Sequence, residues 1–143
     1  MPAKPFRIAK SLDKLRAQIN AKFPNRNKLS DGWIGDPAHQ STSSDHNPHI
    51  NEVKWRVVSA LDITHDTAHG CDAGKIALSL IVKRDPRIKY VISNGRIASS
   101  FKTGNNLPWA WRKYTGKNKH NHHFHISVRA QKALYDSETA WKF

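Results

Sequence analysis

The chain contains one cysteine, Cys71, and has no long apolar run. A lone cysteine excludes a disulfide within the chain. No apolar stretch approaches the roughly 20 residues that a membrane-spanning helix needs, and the first residues lack the apolar core of a secretion signal. We therefore expect residues 1–143 to form one soluble domain, made in the cytoplasm, with a hydrophobic core that needs no disulfide or structural metal.

Acidic residues are also scarce, since 11 Asp and Glu oppose 24 Lys and Arg, which gives a formal net charge of +13. Seven of the acids lie in residues 31–72, where only Lys54 and Arg56 are basic. This acidic, histidine-containing segment predicts cation ligands or acid–base groups. The basic remainder predicts a polyanionic partner, which could be nucleic acid, an anionic membrane surface or an anionic cell wall.

Residues 119–128 contain four of the nine histidines and continue into an alternating apolar pattern. Alternation with period two predicts a strand with His123, His125 and Ser127 on one face and apolar side chains on the other. Two imidazoles on one face, about 7 Å apart, are typical of a site. The alternative interpretation is a surface cluster of histidines.

The remaining pattern predicts an α+β fold, in which helices pack against a small, mainly antiparallel sheet and long loops carry the site. The clearest local signal is Asn94-Gly95 between two β-like runs, which predicts a hairpin with a type I′ turn. Ser11 and Asp72 are predicted to cap helices. The predicted helices are 11–23, 73–83 and 130–135, the strands are 57–64, 88–93, 96–101 and 123–128, and the long loops are 24–52 and 102–118.

Three separated segments offer side chains that could bind one metal ion. His46 lies in the first long loop, Asp62 lies near the end of an apolar strand, and His123 or His125 lies on the histidine strand. A carboxylate in such a strand is costly unless it is paired or bound to metal. Catalytic zinc sites use three protein ligands of these kinds and leave one position open.

The order of these motifs resembles phage and prophage lysis proteins of the zinc-dependent D-alanyl-D-alanine carboxypeptidase and L-alanyl-D-glutamate endopeptidase family. The segments that carry the resemblance are Asp31-Gly32-x-Ile34-Gly35-Asp36-x-x-His39, Ser44-Asp45-His46-Asn47-Pro48, Ala60-Leu61-Asp62-Ile63-Thr64-His65-Asp66, Asp85-Pro86-Arg87-Ile88-Lys89-Tyr90-Val91-Ile92 and His120-x-x-His123-x-His125-Ile126-Ser127-Val128.

The resemblance implies that His46, Asp62 and His125 bind Zn²⁺. It also implies a phage endolysin that hydrolyses peptide bonds of bacterial peptidoglycan during host lysis. Such a protein would be made in the host cytoplasm and would act on the periplasmic or extracellular wall. We further expect a monomer without a separate wall-binding domain, which contacts the anionic cell envelope through basic patches and has no specific nucleic-acid partner.

The chain departs from the family pattern at the general base. The family has a carboxylate three residues before its last zinc ligand, and His122 occupies that position here. We expect His123 to transfer a proton or to stabilise the transition state, and His120 to contact substrate. Asp45, Asp66 and His122 are the competing candidates for a general base or for a residue that orients a ligand.

Two further departures concern the first ligand. The interval between His46 and Asp62 is longer than in the family, which makes residues 47–57 an apparent insertion. An Arg that related sequences carry shortly before the Ser-Asp-His motif is replaced by the segment Gln40-Ser41-Thr42-Ser43.

Three other functions remain open at this stage. Cys71 precedes a predicted helix, whose N-terminus would lower a thiol pKa, so a cysteine amidase or peptidase is one of them. The high charge and the His120-Asn121-His122 segment suggest a metal-dependent nuclease, although its motif residues would lie much closer together in sequence. A non-catalytic wall- or DNA-binding module is the third.

Overall fold

The structure is a computed structural model that describes residues 4–33 and 44–143. The motif positions 34–43 lie outside the described residues.

The expected α+β fold is confirmed. The helices are α1 (Lys10–Lys22), α2 (Ala73–Lys83) and α3 (Lys132–Tyr135), with one 3₁₀ turn at Thr67–His69, and the strands are β1 (Phe6–Ile8), β2 (Ile50–Asn51), β3 (Arg56–Val58), β4 (Ala60–Thr64), β5 (Ile88–Ser93), β6 (Arg96–Ser99), β7 (Trp111–Lys113) and β8 (His123–Val128).

The strands of the described residues form two sheets. The larger has the order β4-β8-β5-β6-β7 and is antiparallel throughout. The smaller has the order β1-β3-β2, with a parallel β1–β3 pair. The last strand in the sequence, β8, therefore lies inside the larger sheet, between β4 and β5.

Side-chain alternation gives the larger sheet two different faces. Leu61 and Ile63 of β4 join Phe124 and Ile126 of β8 in the hydrophobic core, against the apolar residues of α2 such as Leu80. The intervening residues of β4 and β8 project to the opposite face. We call this second face the site face, because it carries Asp62 and the strand histidines.

Several local predictions agree with the structure. Asp72 caps α2, and its side chain accepts a hydrogen bond from the Lys75 N–H. Asn94 and Gly95 both have positive φ angles, 50° and 75°, as a type I′ hairpin turn requires. The predicted strand in the histidine-rich stretch is present and spans His123–Val128.

Other local predictions were wrong. Ser11 does not cap α1, which begins at Lys10 after Ala9, and the buried Ser11 hydroxyl has no hydrogen-bond partner among the described residues. The predicted strand 57–64 is two strands, because the chain passes from the smaller to the larger sheet at Ser59. The predicted loop 102–118 contains β7, which pairs with β6.

The apparent insertion at 47–57 is fastened to both ends of the described chain. Glu52, which follows β2, forms ion pairs with Arg7 at 2.9 Å and Lys132 at 2.7 Å and accepts a hydrogen bond from the Tyr135 hydroxyl. Asp136 binds Arg7 at 2.7 Å and Lys132 at 3.0 Å. We call these five residues the terminal clasp.

No helix in residues 4–33 or 44–143 combines the length and the apolar character needed to cross a membrane.

Candidate metal centre

The sheet register places two of the predicted ligands side by side. Asp62 of β4 is directly opposite His125 of β8, and Thr64 is directly opposite His123. Directly opposed residues of an antiparallel pair project to the same face, so Asp62, His123 and His125 share the site face. The loop before β2 brings His46 to the same place.

His46, Asp62 and His125 form a close triangle of donor atoms. The His46 Nε2 lies 3.2 Å from Asp62 Oδ1 and 3.1 Å from His125 Nδ1, and the His125 Nδ1 lies 3.1 Å from the same Asp62 oxygen. Tetrahedral zinc holds its ligand atoms at about 2.0–2.1 Å and hence about 3.3 Å from one another. The three side chains therefore fit a divalent cation, and we call them the metal triad.

Hydrogen bonds on the outer side of each ring turn both histidine lone pairs toward the triangle. The His46 Nδ1 lies 3.0 Å from the Trp33 carbonyl oxygen, so Nδ1–H donates there and Nε2 is left as an acceptor. The His125 Nε2 lies 2.8 Å from the Ser127 hydroxyl oxygen, so Nε2–H donates there and Nδ1 is left as an acceptor. Two nitrogen lone pairs and a carboxylate oxygen at 3.1–3.2 Å repel unless a cation or a proton lies between them.

Behind His125 lies a buried chain of polar groups. The Ser127 hydroxyl donates to the Asp45 carboxylate while its oxygen accepts from His125. Asp45 is 4% exposed and forms an ion pair with Lys89 at 2.9 Å. Burial raises the pKa of Asp45, but the hydrogen bonds and charge of Lys89 and the Ser127 hydroxyl outweigh it and lower the pKa overall. Asp45 is thus an anion that fixes the orientation of His125.

Tyr90 completes the support of His125. Its ring stacks on the imidazole with a centroid distance of 5.4 Å and an interplanar angle of 7°. Its pKa is raised by burial and by the nearby Asp45 charge, so the phenol stays protonated. Sequence alternation placed Ser127 beside His125, and Asp45 was among the candidates for a residue that orients a ligand. Nothing in the sequence indicated that Tyr90 stacks on the same imidazole.

The electrostatics of the triad centre on Asp62. Burial raises the pKa of this carboxyl, but when a proton takes the place of a cation between the three groups, the hydrogen bonds and charges of the protonated His125 and His46 hold that pKa well below its usual range. Burial lowers the pKa of His46, and Asp62 more than compensates, so the pKa is raised overall. An anionic carboxylate between two imidazoles is the charge arrangement that attracts a cation.

His123 and His120 lie beside the triad with free ring nitrogens. The His123 Nε2 is 3.4 Å from the second Asp62 oxygen, and neither ring nitrogen of His123 has a hydrogen-bond partner in the described parts of the chain. His120 is 8% exposed, and its ring centroid is 4.9 Å from that of His123. With Asp62 these two rings form a second cluster that could hold a metal ion.

Both imidazoles are neutral at pH 7. Burial lowers the pKa of His123, and burial followed by the charge of His125 lowers the pKa of His120 to about 4. Each ring therefore offers one N–H and one lone pair to a bound molecule.

The other candidates for a general base lie in different surroundings. The His122 side chain is exposed, and its carbonyl accepts a hydrogen bond from the His65 N–H at 2.9 Å. Asp66 accepts hydrogen bonds from the Asn27 N–H at 2.8 Å and from His69 at 2.6 Å, which hold the loop after β4. Among Asp45, Asp66 and His122, only Asp45 is linked to the triad, through Ser127.

Cys71 is fully buried, and its thiol lies 3.6 Å from the Thr64 carbonyl oxygen. Burial raises its pKa, which keeps the thiol protonated at neutral pH. A nucleophilic cysteine needs access to solvent and a lowered pKa, so this environment favours a structural role.

The fold and the triad together define a candidate divalent-metal site on the face of an antiparallel sheet that lies opposite the hydrophobic core. Comparisons of the chain with protein-family models, with curated proteins and with solved structures each returned no significant match.

Proposed function

We propose that the protein is a zinc-dependent peptidoglycan peptidase that cleaves stem peptides or cross-bridges of the bacterial cell wall and acts as a phage endolysin in host lysis. The observation that carries the proposal is the convergence of the two histidine lone pairs and the Asp62 carboxylate on one point. The order of sequence motifs, which resembles zinc-dependent wall peptidases, supports the choice of reaction.

His46, Asp62 and His125 would hold the ion, and their donor set of two imidazoles and one carboxylate is one that zinc accepts. Bound zinc supplies a Lewis acid, which polarises a scissile carbonyl and lowers the pKa of a water molecule. The Trp33 carbonyl and the Ser127 hydroxyl keep the two imidazoles in the ligating tautomers.

His123 is the proton-transfer group in this proposal. The ring is neutral, lies next to the second Asp62 oxygen and has uncommitted nitrogens, so it can accept a proton from water and return it to the leaving amine. Asp62 would stabilise the imidazolium that forms in between. His120, whose ring lies edge-on to that of His123, would contact the substrate.

The buried, protonated Cys71 gives no support to thiol chemistry. A metal-dependent nuclease is the second candidate, since a formal charge of +13 also suits a nucleic acid. In the peptidase proposal the same charge draws a monomeric enzyme to the anionic cell envelope, after synthesis in the host cytoplasm and access to the periplasmic or extracellular wall.

The deciding experiment is mass spectrometry of muropeptides after purified peptidoglycan is incubated with the protein, with and without a chelator. We expect new peptide fragments that disappear with chelator and return when zinc is restored. Plasmid DNA incubated in parallel should stay intact. Unchanged muropeptides in every condition would refute the peptidase, and zinc-dependent plasmid cleavage would establish the nuclease in its place.

A further inference from the structure

A row of side chains leads from the metal triad across the site face to the guanidinium group of Arg112. Each residue in this row is directly opposite the next one on the neighbouring strand, so all of them project to the same face. The row consists of Asp62 (β4), His125 (β8), Ile92 (β5), Ile97 (β6) and Arg112 (β7).

The distance along the row matches a short peptide. Neighbouring strands lie about 4.8 Å apart, so three steps place Arg112 roughly 14 Å from His125. An extended chain rises about 3.3 Å per residue, and about four residues cover that distance. Ile92 in the middle of the row is 4% exposed, so a peptide cut at the metal triad would pass over the residues that cover Ile92 and could then reach Arg112 with a side chain or an end group.

Arg112 is held in place without a charge partner. Its two Nη atoms donate to the Ser99 hydroxyl oxygen at 3.3 and 3.2 Å, and the guanidinium is half-buried. No carboxylate of the described residues lies within ion-pair distance of it, whereas Arg7, Arg26 and Arg87 each bind a carboxylate at 2.6–2.9 Å. A guanidinium with one neutral acceptor retains donors for a planar anion.

Arg112 also lines a pocket of about 550 Å³ at the β7 edge, whose lining includes no acidic residue. The hairpin turn on the pocket wall is tied to the histidine segment, since the Asn94 N–H donates to the His120 carbonyl at 3.0 Å. The pocket and His120 therefore share one end of the sheet. The lining residues are Asn94, Gly95, Arg96, Trp111, Arg112 and Lys113. Of these, Arg96, Trp111 and Lys113 project to the face opposite to Arg112, so only Arg112 belongs to the row on the site face.

We propose that Arg112 forms an anion subsite on the site face, where it binds a carboxylate of the peptide substrate about four residues from the scissile bond. The inference rests on the proposed peptidase function, which supplies a ligand that reaches both the metal triad and Arg112. A guanidinium fork recognises a carboxylate through two parallel N–H···O bonds. The subsite selects substrates by charge and takes no part in the bond cleavage.

The test compares two synthetic stem peptides, one with free carboxylates and one in which they are amidated. For the wild-type enzyme we expect amidation to raise KM about 10- to 100-fold, the loss typical of a charged hydrogen bond, with kcat changed less than about threefold. Arg112→Gln should raise KM for the free peptide to the same extent and should not distinguish the two peptides. Its zinc content should equal that of the wild type.

Arg56→Gln is the matched control, because Arg56 is an exposed arginine of the smaller sheet. It should keep the wild-type preference. A preference that persists in Arg112→Gln, or an equal loss in Arg56→Gln, would overturn the subsite.

A second measurement separates this inference from the proposed function. Zinc-loaded His123→Ala protein should bind the free peptide more tightly than the amidated one by calorimetry, and adding Arg112→Gln should remove that difference. Equal binding of the two peptides would overturn the subsite even if the enzyme cleaves peptidoglycan. Tight binding of phosphate-rich polymer alone, lost in Arg112→Gln, would also overturn it and would identify a phosphodiester occupant.

Discussion

Substitution of Ser127 tests the candidate metal centre most directly, because it changes the support of His125 without changing any of the three ligands. Ser127→Ala removes one buried oxygen, the acceptor of the His125 Nε2–H at 2.8 Å, and leaves the three donor atoms of the triad in place. His125 can then carry its proton on either nitrogen. The tautomer with Nδ1–H has no lone pair on the atom that faces the other two ligands, so proton and metal compete for Nδ1.

The expected magnitude follows from the contacts that are lost. Removing a group that orients a metal-bound histidine typically costs about 10- to 100-fold in metal affinity, which corresponds to about 1.4–2.7 kcal/mol. Asp45 keeps its ion pair with Lys89, so the damage stays local to His125. We therefore expect the zinc dissociation constant of Ser127→Ala to rise by one to two orders of magnitude while the fold is retained.

The assay is competition for zinc between the protein and a chromophoric chelator, with circular dichroism to check the fold. Ser93→Ala is the control, because Ser93 is a buried serine of the adjacent strand β5 that projects to the opposite face. It should bind zinc as the wild type does. A dissociation constant for Ser127→Ala within about threefold of the Ser93→Ala value would refute the orienting role of the Asp45–Ser127 chain.

Three further predictions test other parts of the molecule. His125→Ala should abolish peptidase activity and lower the zinc content, whereas His123→Ala should lose activity and keep its zinc; equal zinc loss in both variants would refute the division of roles. Cys71 should resist iodoacetamide in the native protein and react in denaturant, and rapid native labelling with loss of activity would revive thiol chemistry. Because ion pairs in the terminal clasp outweigh burial and lower the pKa of Glu52 and Asp136 to about 2, their stabilisation is complete above pH 5 and is lost as the pH falls towards 2. Glu52→Gln should therefore show a smaller drop in the urea-unfolding free energy between pH 7 and pH 3 than the wild type, and equal drops would contradict this assignment.

The local features of the fold could be read from the sequence because short-range physics determines them. Asn94-Gly95 specifies a type I′ turn wherever it joins two β runs, and Asp72 satisfies free N–H groups at a helix start. The prediction that Ser11 caps α1 was wrong. A serine near the start of a helix gives the same sequence pattern whether it precedes the helix or lies inside its first turn. In the structure it lies inside, with its side chain in the core.

Long-range arrangements could not be read from the sequence in the same way. Residues 57–64 have β-branched residues at both ends and form one mostly apolar run, so nothing in the composition marks Ser59 as the point where the chain changes sheets. Strand alternation did place His123 and His125 on one face. The residues that orient His125 come from three separate segments, and only the register of β5 on β8 and the loop before β2 bring Tyr90 and Asp45 to it.

The position of β8 inside the larger sheet has a consequence for synthesis of the protein. Strands β4 and β5 pair with β8 on either side, so a nascent chain that stops before residue 123 leaves the facing edges of both without a partner. The same strand carries His123 and His125. Closing the sheet and completing the metal triad are therefore one event, which depends on contacts far apart in sequence. A fragment that ends before β8 lacks His125 and therefore cannot form the full metal triad.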